Sequence, residues 1–286
     1  MAVTDLLVEA VILFAVGFVG GLIGALTGLG GAAVSTPILT GFLDVPIRVA
    51  IGSSIMITIA NSSTGGANYL VKGLANLRVG YSLAIATIIG SMVGVMLNLI
   101  LPVKALYIVF GLILLVAPLP GLLRGAGSEF VRVHKSQDRI SSLLGLRGSY
   151  YDENKRMTIE YKASKYPQAF IAMTGAGAIA GLLGIGAGAF KVLSMDYIMG
   201  LPFKVSTATS SFIIGLTASA AGVQYVILGY TDPVIVALLV PGVIAGSYVS
   251  SIILNKLPSK TLRIIFTLVV WILALQMILR GLQYVV

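Results

Sequence analysis

Shifted by 156 positions, the chain matches itself without a gap from Gly21 to Leu112, and 26 of the 92 paired positions are identical. Gly28 pairs with Gly184, Gly30 with Gly186, Pro46 with Pro202, Ser54 with Ser210, Tyr69 with Tyr225, Gly90 with Gly246, and Leu101-Pro102 with Leu257-Pro258. Self-similarity over such a span means that one structural plan is used twice. Any fold for this chain has to bury the same pattern in both halves.

The medium for that burial follows from composition. Of 286 residues, 57% are hydrophobic and only 10% charged, and the mean hydropathy is +1.01. That leaves too little polar surface to cover a water-soluble globule. Apolar runs cover Ile51–Val71, Val79–Leu101, Leu106–Leu119, Val205–Leu228, Pro233–Leu254 and Leu262–Leu279. Several exceed the roughly 18 residues that suggest a membrane-spanning helix. None alternates as a barrel strand would. The first ten residues hold Asp5 and Glu9 but no Lys or Arg, so they lack the basic start of a cleaved signal peptide, and the first apolar segment is expected to stay. With no cysteine, disulfides, thiol catalysis and Cys-metal sites are excluded.

Each half has the same four parts, a Gly-rich interrupted apolar segment and then three continuous ones. The interruptions are Gly24-Ala-Leu-Thr-Gly28-Leu-Gly30-Gly31 and Gly181-Leu-Leu-Gly184-Ile-Gly186-Ala-Gly188. The pieces after them, Ala32–Leu43 and Ala189–Gly200, are too short to span and read as half-helices returning from a break inside the membrane. Residues 1–121 form the first transmembrane repeat, 122–166 a polar linker and 167–286 the second repeat. The linker carries nine basic residues, which predicts a cytoplasmic location. Its segment Ser149–Tyr161 reads as a small hairpin turning at Asp152–Asn154.

Loop charge then orients the halves. Lys72 and Arg78 flank a loop whose counterpart, Leu228–Val234, holds only Asp232, whereas Lys104 stands where the other half has Lys256, Lys260 and Arg263. If each interrupted segment leaves by the face it entered, the halves are inverted. Fifteen cations then lie inside, and only Arg48, Lys104 and Arg280 outside, with Lys191 within the membrane. One net crossing per interrupted segment would send Lys204, Lys256, Lys260 and Arg263 outside, against the positive-inside rule. The expected fold is therefore an all-α polytopic membrane protein with two inverted-topology repeats. Each repeat is a Gly-broken re-entrant helical hairpin plus three transmembrane helices, and both termini lie outside.

With these residues assembled, the chain resembles the TauE/SafE sulfite exporter family of membrane anion permeases over nearly its whole length. The likeness rests on the first break followed by Pro37, on Val45-Pro46 with Ala50-Ile-Gly-Ser-Ser54, and on Gly73-Leu-Ala-Asn76-Leu-Arg78. It continues in Gly184-Ile-Gly-Ala-Gly-Ala-Phe-Lys191-Val192, Gly200-Leu-Pro202 through Ser210, and Gly229-Tyr-Thr-Asp232-Pro233. The resemblance implies transport of a small sulfur anion such as sulfite, a sulfonate (sulfoacetate) or thiosulfate across a prokaryotic cytoplasmic membrane.

Independently of the family, a half-helix that starts at midmembrane aims unpaired N–H groups and its positive dipole end at one spot, which suits an anion. Two inverted breaks would meet near the midplane and make one site at the repeat interface. The expected site elements are Gly28, Gly30 and Gly31 with Ser35 in the first half, and Gly184, Gly186 and Gly188 with Lys191 in the second. The same glycines also have the Gly-x-x-x-Gly spacing of close helix packing, as in Gly17-Gly21 and Gly177-Gly181. Lys191, whose counterpart is Ser35, is an ionisable group at depth. It reads either as a substrate contact or as a lysine that snorkels or pairs with Asp196. Ser53 and Ser54, mirrored by Thr209 and Ser210, and Asn61 beyond them read either as site polar groups or as interhelical hydrogen bonds. Asn68-Tyr69 and Gln224-Tyr225 are expected near helix ends, with the tyrosines in the interfacial belt.

His134, the single histidine, lies in the linker, so no metal or proton relay is built on it. No cofactor is called for, and no His, Cys or paired carboxylates cluster as an enzyme would need. The net charge of +9 sits in loops beside apolar segments, which speaks against nucleic acid as a partner. The expected partners are the lipid bilayer and a small anion. Without an ATP-binding motif, energy has to come from the membrane potential or from proton or ion coupling. A carrier working by alternating access leads, and a passive anion channel of the same build is the alternative.

Overall fold

The computed structural model describes residues 3–27, 30–71, 73–119, 138–152, 157–253 and 259–283. In the first half, α1 covers Val3–Thr27, α2 Ala32–Phe42, α3 Ile47–Val71, α4 Leu77–Ile100 and α5 Val103–Val116. A short helix α6 (Arg139–Leu143) and an antiparallel hairpin of β1 (Arg147–Asp152) and β2 (Met157–Lys162) follow. In the second half come α7 (Tyr166–Leu183), α8 (Gly188–Leu193), α9 (Phe203–Ile227), α10 (Pro233–Ile253) and α11 (Ser259–Gln283). The apolar runs read from the sequence thus become α3, α4, α5, α9, α10 and α11. Five of the helices offer stretches long and apolar enough to cross a membrane. α3 is long enough too, but it carries Arg48, Ser53, Ser54, Thr58, Asn61 and Ser62, and of these the serines, Thr58 and Asn61 are buried.

Alongside an apolar core that includes Ile51, Leu83, Tyr107 and Phe110, burial does not follow polarity as it does in a soluble protein. Large apolar side chains such as Leu7 and Val11 on α1 and Ile85, Ile89 and Met96 on α4 stay exposed, while Ser35, Thr58, Thr87, Asn98, Lys191 and Thr217 are buried. Lipid can solvate the first set, and only protein can satisfy the second.

Glycines decide how the helices pair. α1 lies along α10 and α4 along α7, each pair parallel. Gly17 and Gly21 press on Leu239 and Val243, while Gly242 and Gly246 press on Phe14 and Phe18. Gly177 and Gly181 press on Thr87 and Ser91, while Gly90 and Gly94 press on Thr174 and Ala178. A Cβ on Gly181 would stand 2.0 Å from Ser91 O, so the backbones touch as small-residue membrane interfaces allow. The packing reading of Gly17-Gly21 and Gly177-Gly181 therefore holds. α3 and α9, which occupy equivalent places in the two halves, cross at the centre antiparallel. Gly52 meets Tyr225, Gly222 meets Met56, and Gly215 meets Ser62. α5 and α11 do the same, with Gly111 against Ala274 and Gly281 against Tyr107.

Two ends result. At one, Asn76 Nδ2 donates to Arg147 O and Tyr161 Oη, tying the loop after α3 to the hairpin, and Ser164 N donates to Met199 O. At the other, Arg48 donates to Leu99 O and Leu101 O, and Arg280 pairs with Asp44. Arg78 and Arg48 are thus at opposite ends. Lys72, most of the linker cations, His134 and Lys256 lie outside the described residues, as does the tip of the hairpin turn.

Two expectations need correction. The second half-helix is not one α-helical piece over Ala189–Gly200. After α8 the backbone widens into a π turn over Ser194–Ile198, with Met199 N donating to Ser194 O at 3.2 Å, and such turns recur at functional sites. Tyr225 is not interfacial either. It is fully buried, and its hydroxyl donates to Gly181 O at 2.9 Å. The carbonyls at the end of α7 need donors, and inside protein they have to come from side chains.

Candidate functional site

Both breaks turn through residues of positive φ before the returning helix. Gly30 (φ 89) and Gly31 (φ 71) lead into α2, and Gly184 (φ 70) and Ala187 (φ 49) bracket the turn into α8. Gly31 and Ala187 are paired by the 156-residue offset and both have positive φ, but only Ala187, with ψ 30, is in the left-handed helical region, whereas Gly31 has ψ -41; a positive φ costs an alanine more than a glycine. Neither α2 nor α8 has a side-chain cap. By contrast Asn76 caps α4 and Asp232 caps α10. The first N–H groups of the two break helices are thus not taken by a capping side chain. Gly28 lies outside the described residues.

The breaks meet. A Cβ on Gly30 would stand 3.3 Å from Gly186 N and 2.8 Å from Thr58 Cγ2, so the crossing admits no side chain. Thr58, on α3, lies between the two loops, its Oγ1 2.6 Å from Gly30 O and 3.3 Å from Gly184 O. Ser54 Oγ, one turn earlier, is buried and has no hydrogen-bond partner.

Lys191 follows the second break by one turn, and its N–H donates to Ala187 O. Its side chain is fully buried, with Nζ donating to Thr217 Oγ1 at 3.0 Å, not to Asp196. Thr217 continues to Thr87 Oγ1 at 2.8 Å, and Thr87 to Ala84 O at 3.0 Å. An ammonium held only by a neutral hydroxyl chain is a costly buried charge, so an anion beside it would be stabilised.

The first half places neutral groups at the equivalent positions. Ser35 Oγ donates to Gly31 O at 3.0 Å. Asn61, the counterpart of Thr217, accepts from Ser247 Oγ at 2.6 Å and lies against Gly24. In the second half, Ser210 Oγ donates to Gly188 O at 3.4 Å.

Ser53 and Thr209 are placed differently. Asp232 N donates to Ser53 Oγ and Asn76 N to Thr209 Oγ1. These two paired positions pin the capped starts of α10 and α4 and so lie at joints, not at the crossing. Thr58, Thr87, Thr217 and Asn98 were not singled out from the sequence. Asn98 Nδ2 donates to Leu182 O at 2.8 Å, beside the Tyr225 bond at the end of α7. Their signal was present, since a polar residue inside an apolar span is costly.

A polytopic helical bundle with buried polar groups, broken helices and a lipid-facing apolar exterior has the build of a membrane transporter. Residues 13–277 match the family described as sulfite exporter TauE/SafE, and the chain belongs to that family. It is 29% identical over 280 residues to the probable membrane transporter protein YunE of Bacillus subtilis (strain 168), covering 95% of this chain and 98% of that one. It is 26% identical over 253 residues to the probable membrane transporter protein YdhB of the same organism, covering 88% and 91%. No solved structure matches.

Proposed function

We propose that this protein is a secondary carrier, working as an exporter, of a small sulfur-containing anion such as sulfite, sulfoacetate or thiosulfate. The observation that carries the reading is the meeting of Gly30 with Gly186 beside the uncapped starts of α2 and α8, with the buried Lys191 ammonium one turn away. Backbone N–H groups, helix dipoles and one cation are the usual means of holding an oxyanion. Gly28, Gly30, Gly31, Gly184, Gly186 and Gly188 supply the approach, Lys191 the charge, and Ser35, Ser54, Asn61 and Ser210 the polar surroundings.

The antiparallel crossings of α3 with α9 and of α5 with α11 support inverted repeats, because equivalent helices related by an axis along the membrane normal would run parallel. Alternating access then consists of the two halves rocking about the breaks. Positive charge in the linker and beside Arg78 supports placing that end in the cytoplasm and both termini outside.

Labelled sulfite, sulfoacetate and thiosulfate offered to proteoliposomes provide the test. Saturable flux with counterflow is expected. Single-channel currents would favour a passive pore, and no flux of any of the three anions would end the reading.

A further inference from the structure

At the crossing of the breaks several oxygens converge: Gly30 O accepts from Ala32 N at 2.7 Å and from Thr58, whereas Gly184 O, among the described residues, has only Thr58 nearby. Thr58 Oγ1 lies 2.6 Å from Gly30 O, 3.3 Å from Gly184 O and 3.4 Å from Ser54 O. A hydroxyl carries one proton, and the shortest distance places it on Gly30 O. Gly184 O is then left facing Thr58 Oγ1 lone pair to lone pair. The carbonyl of Ile51 also adjoins this point, 2.8 Å from where a Cβ on Gly184 would be. One turn before Thr58 on α3 stands Ser54, its hydroxyl fully buried and without a hydrogen-bond partner.

The sign of the surroundings agrees with that convergence of oxygens. Gly184 caps the C-terminus of α7, and Gly30 follows the C-terminus of α1. On their carbonyl side both loops bring the negative end of a helix dipole, while the starts of α2 and α8 bring the positive ends on the N–H side. Lys191, the nearby cation in the sequence, is engaged with Thr217 instead.

We propose that the crossing binds a small monovalent cation, Na⁺, through Gly30 O, Gly184 O, Thr58 Oγ1 and Ser54 Oγ. Carbonyl and hydroxyl oxygens are hard ligands suited to such ions. The set contains no carboxylate, so it offers little to Ca²⁺ or Mg²⁺, which are held through carboxylates. Unwound carbonyls at half-helix C-termini are also where transporters coordinate Na⁺. Three of the ligands come from the first half and Gly184 from the second. A bound ion therefore ties the two halves together, and its release frees them to move.

The test uses full-length protein in detergent with no sulfur anion present, so it stands apart from the substrate. Thermal unfolding is compared in NaCl, KCl and choline chloride at matched ionic strength. A saturable rise in Tm of about 5 °C specific to Na⁺ is expected, since a ligand that binds only the folded state stabilises it. Thr58→Val abolishes the rise and Thr58→Ser retains it. Ser54→Ala, which breaks no hydrogen bond, raises the Na⁺ concentration needed for half the effect. Equal Tm in the three salts, or an undiminished Na⁺ response in Ser54→Ala or Thr58→Val, overturns the assignment.

Discussion

Lys191→Met separates what the ammonium does for an anion from what it does for the fold. The Lys191 side chain is fully buried, and its hydrogen bond goes to Thr217 at 3.0 Å. Methionine is unbranched and apolar and fills irregular gaps, so little cavity is created. The substitution gives up a hydrogen bond from a charged donor, worth about 1.5–3 kcal/mol. It also removes the desolvation penalty of a buried ion, which is several kcal/mol. Thr217 keeps its contacts with Thr87 and Ile213. The balance predicts a variant at least as stable as the parent.

Anion binding moves the other way. An oxyanion at the breaks loses a charge-assisted partner in a desolvated site, about 1.5–3 kcal/mol, or about 10- to 150-fold in Kd. Calorimetric titration of sulfite into detergent-solubilised protein, alongside thermal unfolding, reads both effects, and Lys191→Arg should keep part of the affinity. A Lys191→Met protein that binds sulfite like the parent but melts earlier would refute the reasoning, because the lysine would then be a structural tie between α8 and α9.

Further tests address the packing, the end of α7 and the linker. Gly181→Ala puts a Cβ 2.0 Å from Ser91 O, so α4 and α7 have to separate; a loss of about 1–3 kcal/mol is expected and would appear as a lower Tm. Tyr225→Phe removes the donor to Gly181 O, at a cost of about 1–2 kcal/mol in the same assay. Asp138 is partly desolvated, which raises its pKa, but hydrogen bonds from Ser141 and from the backbone of Lys165 and Tyr166 outweigh this and hold it below the ordinary carboxylate range. A depressed folded-state pKa stabilises above the unfolded pKa and is lost as pH falls through the folded one. Protection factors for hydrogen exchange over residues 139–146 should therefore fall as the pH drops below the carboxylate range, and Asp138→Asn should remove that pH dependence.

Much of this protein could be read before any coordinates. The 156-residue offset made the two halves visible, and composition placed them in lipid. The starts of α2 and α8 at paired breaks followed from segment length, since 11 residues at 1.5 Å each fall far short of a bilayer. Lys191 stood out because an ionisable residue in an apolar segment demands a reason. Thr58, Thr217 and Thr87 did not stand out, because a threonine can satisfy itself by bonding back to its own helix.

Facing was harder to read. In water, an apolar stripe marks the buried side of a helix; here lipid and core are both apolar, so the pattern carries little directional information. Tyr225 illustrates the loss, since its sequence position near the end of α9 suits a membrane interface, yet it lies in the core under α7.

By itself, the sequence determined the duplication, the membrane setting, the two breaks and a lysine just after the second of them, because each depends on residue type and order along the chain. Only the tertiary structure decided that Gly30 abuts Gly186, that Ser53 and Thr209 serve as joints while Ser54, one turn before Thr58, is buried and unpartnered, and that Lys191 rests on a threonine chain from α9 and α4. Those are contacts between distant segments, and they were settled by which backbones could approach most closely, at glycines whose partners nothing local in the sequence names.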